Sequence, residues 1–182
     1  TISRAMNSVT YPARFMLAIS INPCPCGYFT DKMKECHCTP HQIQSYMSKI
    51  SGPLLDRIDI QIEVPSVQYH ELVSDREVQS SADIRGKVLV SRTMQKERFK
   101  DQPPMVNAHM SSKQTKKYCV LDKSAEAMLY QAMTELGLSA RGHSKVLKVA
   151  RTIADLEESE HIKIEHISEA IQYRSLDRGL WK

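Results

Sequence analysis

The chain has 182 residues, with 25 Lys and Arg against 21 Asp and Glu, and so a net charge of +4. That surplus is too small to establish nucleic-acid binding, although it fits an acidic partner. Hydrophobic residues at 41% and charged residues at 25% match an ordinary globular protein, and the length holds one domain or two small ones. No apolar run approaches the ~20 residues needed to span a bilayer, so no membrane role is expected. The start, Thr1-Ile-Ser-Arg-Ala, has neither the charged nor the apolar region of a signal peptide. It lacks an initiator methionine and enters a strand-like pattern at once, which leads us to expect a piece of a longer cytoplasmic protein.

The first third reads as strands. Residues 1–4 and 9–14 flank Met6-Asn7-Ser8, which has the look of a hairpin loop. Residues 14–21 form a near-continuous apolar run, the pattern of a strand covered on both faces in a parallel sheet. Thr39-Pro40-His41-Gln42 opens a helix reaching about residue 50, with a capping threonine, proline at the first position and glutamine reaching back. Ile58, Ile60, Ile62 and Val64 then alternate with Asp59, Gln61 and Glu63, the period of a strand. Strand, helix, strand makes a crossover unit.

Beyond a polar connection over 65–79 the period becomes helical. A helix is expected over 81–99, with Ile84, Val88 and Leu89 on one face and Arg and Lys opposite, followed by a breaker at 101–104. Ser111 and Gln114 form a capping-box pattern, and Asp122 caps the next helix. There Met128, Leu129, Ala132, Met133 and Leu136 form a core stripe before Gly137. Further helices are expected over 139–158 and 164–173. The fold class is therefore an α/β piece over 1–68 followed by an all-α bundle over 80–182.

Few residues carry candidate chemistry. Arg57, in Ser51-Gly-Pro-Leu-Leu-Asp-Arg-Ile-Asp59, stands at the entrance of the second strand. A planar, permanently charged fork held there suits a phosphate on a neighbouring molecule, while pairing with Asp56 or Asp59 is the competing reading. Asn22 ends the first strand, where its amide would orient a water or touch a phosphate, or else close an Asx-turn with Pro23. Arg141 sits at a helix start, a place that attracts anions. Arg151 is its substitute, although the apolar residues around it point to snorkelling.

Five cysteines, four of them within fifteen residues, argue for an intracellular metal site rather than a disulfide scaffold. Cys24-Pro-Cys26 and Cys36-His-Cys38 can converge on a tetrahedral zinc, with His37 and His41 in reserve and reduced thiols as the alternative. Cys119, among Tyr118, Val120 and Leu121, reads as core. No Gly-x-x-x-x-Gly-Lys-Ser/Thr loop is present: Val88 follows Gly86-Lys87, and Ser81 stands where the first glycine belongs. A nucleotide-hydrolysing site is incomplete within these residues.

Five motifs in order are similar to those of the magnesium-chelatase-like AAA+ ATPases of the YifB/ComM type. They are Ser8-Val-Thr-Tyr-Pro-Ala-Arg-Phe15, Asn22-Pro-Cys-Pro-Cys-Gly27, Ser51-Gly-Pro-Leu-Leu-Asp-Arg-Ile-Asp59, Leu136-Gly-Leu-Ser-Ala-Arg141 and Ala150-Arg-Thr-Ile-Ala-Asp-Leu156. The closing Ala170-Ile-Gln-Tyr-Arg-Ser175 resembles the same family's C-terminus. The resemblance implies the later part of an AAA+ core over 1–68 and its helical lid over 80–182, with the P-loop segment upstream. It implies sensor 1 at Asn22, an arginine finger acting in trans at Arg57 and sensor 2 at Arg141, all serving ATP and Mg. It also implies a pore-facing hairpin over 1–14, assembly into a ring, and a metal-binding insertion at Cys24, Cys26, Cys36 and Cys38. Members of the ComM type act on DNA by branch migration. A chelatase subunit that helps insert magnesium into a porphyrin, and a zinc-stabilised DNA-binding module, are the alternatives.

Overall fold

The structure is a computed structural model and describes residues 1–4, 7–12, 15–31, 33–67, 69, 73, 79–100 and 106–174. Arg14, the breaker at 101–104 and Ser175 lie outside these. The chain divides into two compact units, Thr1–Tyr46 and Met47–Lys182. Among the described residues it is mostly helical, with a single two-stranded sheet. That composition is a partial α/β core followed by a helical lid.

In the first unit, β1 (Ile2–Arg4) pairs antiparallel with β2 (Asn7–Val9), in the register Ile2↔Val9, Ser3↔Ser8, Arg4↔Asn7. The hairpin expected from sequence is present, but Asn7 and Ser8 belong to its second strand and not to its loop. Hydroxyl pairs Thr1–Thr10 and Ser3–Ser8, at 2.9 and 3.1 Å, tie the two arms on one face. The apolar run at 15–21 forms no strand, and Met16 is 94% exposed. A parallel strand exists only where neighbours accept and donate its main-chain hydrogen bonds, and none of the described residues does so. α1 (Pro40–Met47) begins as expected, with the Thr39 amide donating to Gln42 Oε1 at 2.8 Å and the Gln42 amide to Thr39 Oγ1 at 3.3 Å.

The second unit opens with α2 (Gly52–Leu55), a single turn that carries Pro53 where a missing N–H costs nothing. Residues 58–64 follow without a ladder, and Val64 is 78% exposed, so the second expected strand and the crossover are likewise not formed. The bundle comprises α3 (Ser81–Arg98), α4 (Ser112–Tyr118), α5 (Lys123–Leu136), α6 (Ala140–Leu156) and α7 (Ile164–Gln172). Four of the starts are fixed by side chains. Ser80, Ser111, Asp122 and Ser139 each accept a hydrogen bond from the amide three residues on.

α6 is the central element and packs against α3, α4 and α7, while α5 packs on α7. Val146, Ala150, Ala154, Ile167 and Leu129 fill the core, and each fully buried branched side chain contributes about 1.5–3 kcal/mol. Cys119 is buried there as expected, its thiol pushed up to about 11 mainly by desolvation. The face of α3 differs from expectation: Ile84, Val88 and Leu89 are exposed, and Ser91 and Gln95 are buried instead. The reason is a polar network at the far end of α3. Asp155, 0% exposed, accepts from Arg98 at 2.7 and 2.5 Å, from Arg151 Nε at 3.0 Å and from Asn107 Nδ2 at 2.7 Å. Gln95 Oε1 accepts from the Asn107 amide at 3.1 Å.

Candidate functional sites: an arginine turn and a cysteine cluster

Arg57 lies in the turn after α2, where its amide donates to Leu54 O at 2.9 Å and the next amide, Ile58, to Leu55 O at 3.0 Å. It is therefore held by a closed helical turn and not by a strand. The guanidinium is exposed and donates to its own chain at Pro53 O. Pairing with Asp56 or Asp59 does not occur. Both carboxylates are engaged by cations from the bundle.

Asp56 accepts from the Ser139 hydroxyl at 2.8 Å and from Arg141 Nη1 at 2.9 Å, with Arg174 Nη2 at 4.0 Å. These partners hold its carboxyl below the usual range, the Ser139 hydrogen bond contributing most and Arg141 next among the lowering effects. Asp59, 68% exposed, pairs with Lys145 Nζ at 2.8 Å. Lys145 also donates to the Arg57 carbonyl, and its side chain is only 14% exposed. Arg174, buried, donates to Ile58 O at 2.7 Å, and the Gln61 amide donates to Tyr173 O at 2.8 Å. The Arg57 turn is thus stitched to the start of α6 and the end of α7. Ser139 does double duty, since its hydroxyl also caps α6 by accepting from the Gly142 amide at 3.0 Å.

Arg141 is 55% exposed in its ion pair. Arg151, its substitute, is 2% exposed. Besides Asp155 it donates to the carbonyls of Ser159 and Glu160 at 2.5 and 2.8 Å, so it is a satisfied structural cation and does not snorkel. Asn22, in the first unit, is exposed two residues before Cys24, and no Asx-turn hydrogen bond holds its amide among the described residues. Asp56 was named in the sequence only as a rival partner for Arg57, and Ser139, Lys145 and Arg174 were given no role there. The one signal for Lys145 was its spacing: four residues beyond Arg141, it shares that residue's helix face.

In the first unit, Cys24, Cys26, Cys36 and Cys38 bring their sulfurs within 4.8 Å of one another. Three of the separations are 3.3, 3.8 and 3.6 Å. Tetrahedral zinc with Zn–S near 2.3 Å requires S···S edges of about 3.8 Å, so the donor set and its spacing fit a structural metal. Gly27 at φ +85° turns the loop, its amide donating to Cys24 O at 3.0 Å. Crowding divides the thiols. Cys26 is drawn down to about 6, chiefly by the backbone hydrogen bond at Tyr28, and Cys38 is pushed up to about 12, chiefly by desolvation. His37 and His41 are not part of the cluster.

The smaller hairpin unit and the larger helical unit, the latter carrying both Arg57 and Arg141, make up a partial core and a helical lid. The family model for magnesium chelatase, subunit ChlI, matches residues 1–72, and the model for that subunit's C-terminal part matches residues 78–174. The chain belongs to this magnesium chelatase family. It is 40% identical over its whole length to competence protein ComM of Haemophilus influenzae, covering 35% of that protein. It is also 37% and 38% identical to the YifB proteins of Salmonella typhimurium and Escherichia coli, over 98% of this chain and 34% of each relative. The chain therefore spans about a third of the length of the relatives it matches.

Proposed function

We propose that the whole protein is an ATP-dependent AAA+ ring motor acting on DNA, of the ComM type, in which this chain supplies the end of the core (1–68) and the lid (80–182). ATP and Mg bind between subunits. Arg57 acts in trans as the arginine finger, Arg141 contacts phosphate from the lid as sensor 2, and Asn22 orients the attacking water as sensor 1. A finger of this kind contributes roughly 10³-fold or more in rate by stabilising charge on the transferred phosphoryl group. The observation that carries the reading is the exposure of Arg57. Each carboxylate beside it is already neutralised, so its charge faces outward with no carboxylate paired to it, and its hydrogen bond goes to the neutral Pro53 carbonyl.

Full-length protein assayed for ATP hydrolysis with and without branched DNA tests the reading. Arg57→Ala should abolish turnover and spare nucleotide binding. Mixing that variant with one lacking its P-loop lysine should restore activity, and no recovery at any ratio would count against action in trans. A second reading, favoured by the four convergent cysteines, is a zinc-stabilised DNA-binding module whose ATPase ancestry is incidental. Turnover unaffected by Arg57→Ala, with tight DNA binding, would select it. Stimulation by porphyrin and partner subunits, with none by DNA, would select a chelatase subunit instead.

A further inference from the structure

Arg57 is flanked within two residues by Asp56 and Asp59, either of which a flexible guanidinium reaches more readily than an anion on another molecule. Local pairing would cancel the charge that an outward-facing arginine offers. The structure prevents this on both sides with cations from one helix. Arg141 takes Asp56, and Lys145, one turn further along α6, takes Asp59 at 2.8 Å while donating to the Arg57 carbonyl. Arg141 is exposed and is itself a candidate phosphate ligand. Lys145 differs from it: only 14% of its side chain is exposed, and both of its hydrogen bonds are spent on the segment that carries Arg57.

We infer that Lys145 is a positioning residue for Arg57, holding the backbone of the arginine turn and sequestering Asp59 so that the guanidinium stays available to a phosphate on a neighbouring subunit. The inference rests on the proposed role of Arg57. Lys145 touches no substrate. Its effect passes through Asp59 and the Arg57 carbonyl, and this makes the role separable from simple stabilisation of the fold.

The test uses the full-length protein and ATP. Wild-type hydrolysis that Arg57→Ala abolishes is the precondition, and its failure would remove the proposed function, leaving nothing for Lys145 to position. Given that, Lys145→Met frees Asp59 to capture Arg57. The kcat should fall by about 100-fold, as expected for a misplaced reacting group, with KM for ATP unchanged. Lys145→Arg, which keeps the charge, should recover most of the rate. Lys145→Met/Asp59→Asn should return toward the rate of Asp59→Asn alone, because the competing carboxylate is gone. A double variant as slow as Lys145→Met, or a Lys145→Met variant with unaltered kcat, overturns the inference and leaves the finger reading standing.

Discussion

Arg141 donates to the Asp56 carboxylate at 2.9 Å across 85 residues of chain, and Ser139 adds a 2.8 Å hydrogen bond to the same carboxylate. One aspartate thereby joins the residue preceding Arg57 to the cap of the bundle's central helix. Asp56 has a depressed pKa in the folded state, so its contribution is fully present above the ordinary carboxylate value of 3.8 and is lost as pH falls through the folded value. The pair is partly exposed, so Asp56→Asn should cost only about 1 kcal/mol near neutrality. Denaturant titrations of both proteins across pH should show that gap level down to about pH 5 and closing below 3.8. A gap that persists in acid would mean that shape, and not charge, makes the contact.

Asp155 should matter far more. Its carboxylate is buried and receives hydrogen bonds from Arg98, Arg151 and Asn107, joining α3, α6 and the turn over Asn107–His109. Asp155→Ala leaves two cations buried without their acceptor, a change that typically costs about 3–5 kcal/mol. Chemical unfolding should register a loss of that size. A loss below about 1 kcal/mol, as for an exposed pair, would show that the two arginines find other acceptors at little cost.

The bundle was largely legible in the sequence because its signals are local. Ser111, Asp122 and Gly137 mark helix ends by chemistry that acts within four residues, and each does so in the structure, where Ser80 and Ser139 cap two further helices in the same way. The two expected strands were not, because alternation at 58–64 and the apolar run at 15–21 describe a covered sheet whose neighbouring strands are not among the described residues. The misread face of α3 has a different cause. Hydrophobicity assigned Ile84 and Val88 inward, but the helix is anchored from Gln95 and Arg98 through hydrogen bonds to residues far along the chain. Arg151 was misjudged because its apolar neighbours concealed nearby acceptors, Asp155 one turn on and the carbonyls at 159 and 160 just past the end of α6. Convergence of the four cysteines could be read from their pairing. The sequestering of Asp56 and Asp59 could not, since it depends on tertiary packing of residues about 85 positions apart.

Two glycines in equally open surroundings should respond in opposite directions to alanine. Gly137 ends α5 at φ +61°, and a Cβ there would meet nothing within 4 Å, so the whole cost is backbone strain. Gly137→Ala should destabilise by about 1 kcal/mol. Gly86 lies inside α3 with no positive φ and with the same free space. Gly86→Ala should stabilise by roughly 0.5–1 kcal/mol by removing unfolded-state freedom. Thermal or denaturant melts of the two variants decide the point, and changes of the same sign would refute the backbone account.

The cysteine cluster predicts a metal whose loss is felt locally. Four thiols held with their sulfurs within 4.8 Å of one another in a polar loop have little apolar surface to keep them together, so a tetrahedral ion is what would order the loop. Purified protein should contain one zinc per chain, and cobalt exchanged for it should show sulfur-to-metal charge-transfer absorption. Because the thiols must shed their protons to bind, affinity should fall as pH is lowered. Chelation, or Cys36→Ser, should accelerate amide exchange across 24–38 and leave the amides of α6 protected, since the cluster belongs to the first compact unit and α6 to the second. Exchange over 24–38 that is indifferent to metal removal would reduce the cluster to four free thiols.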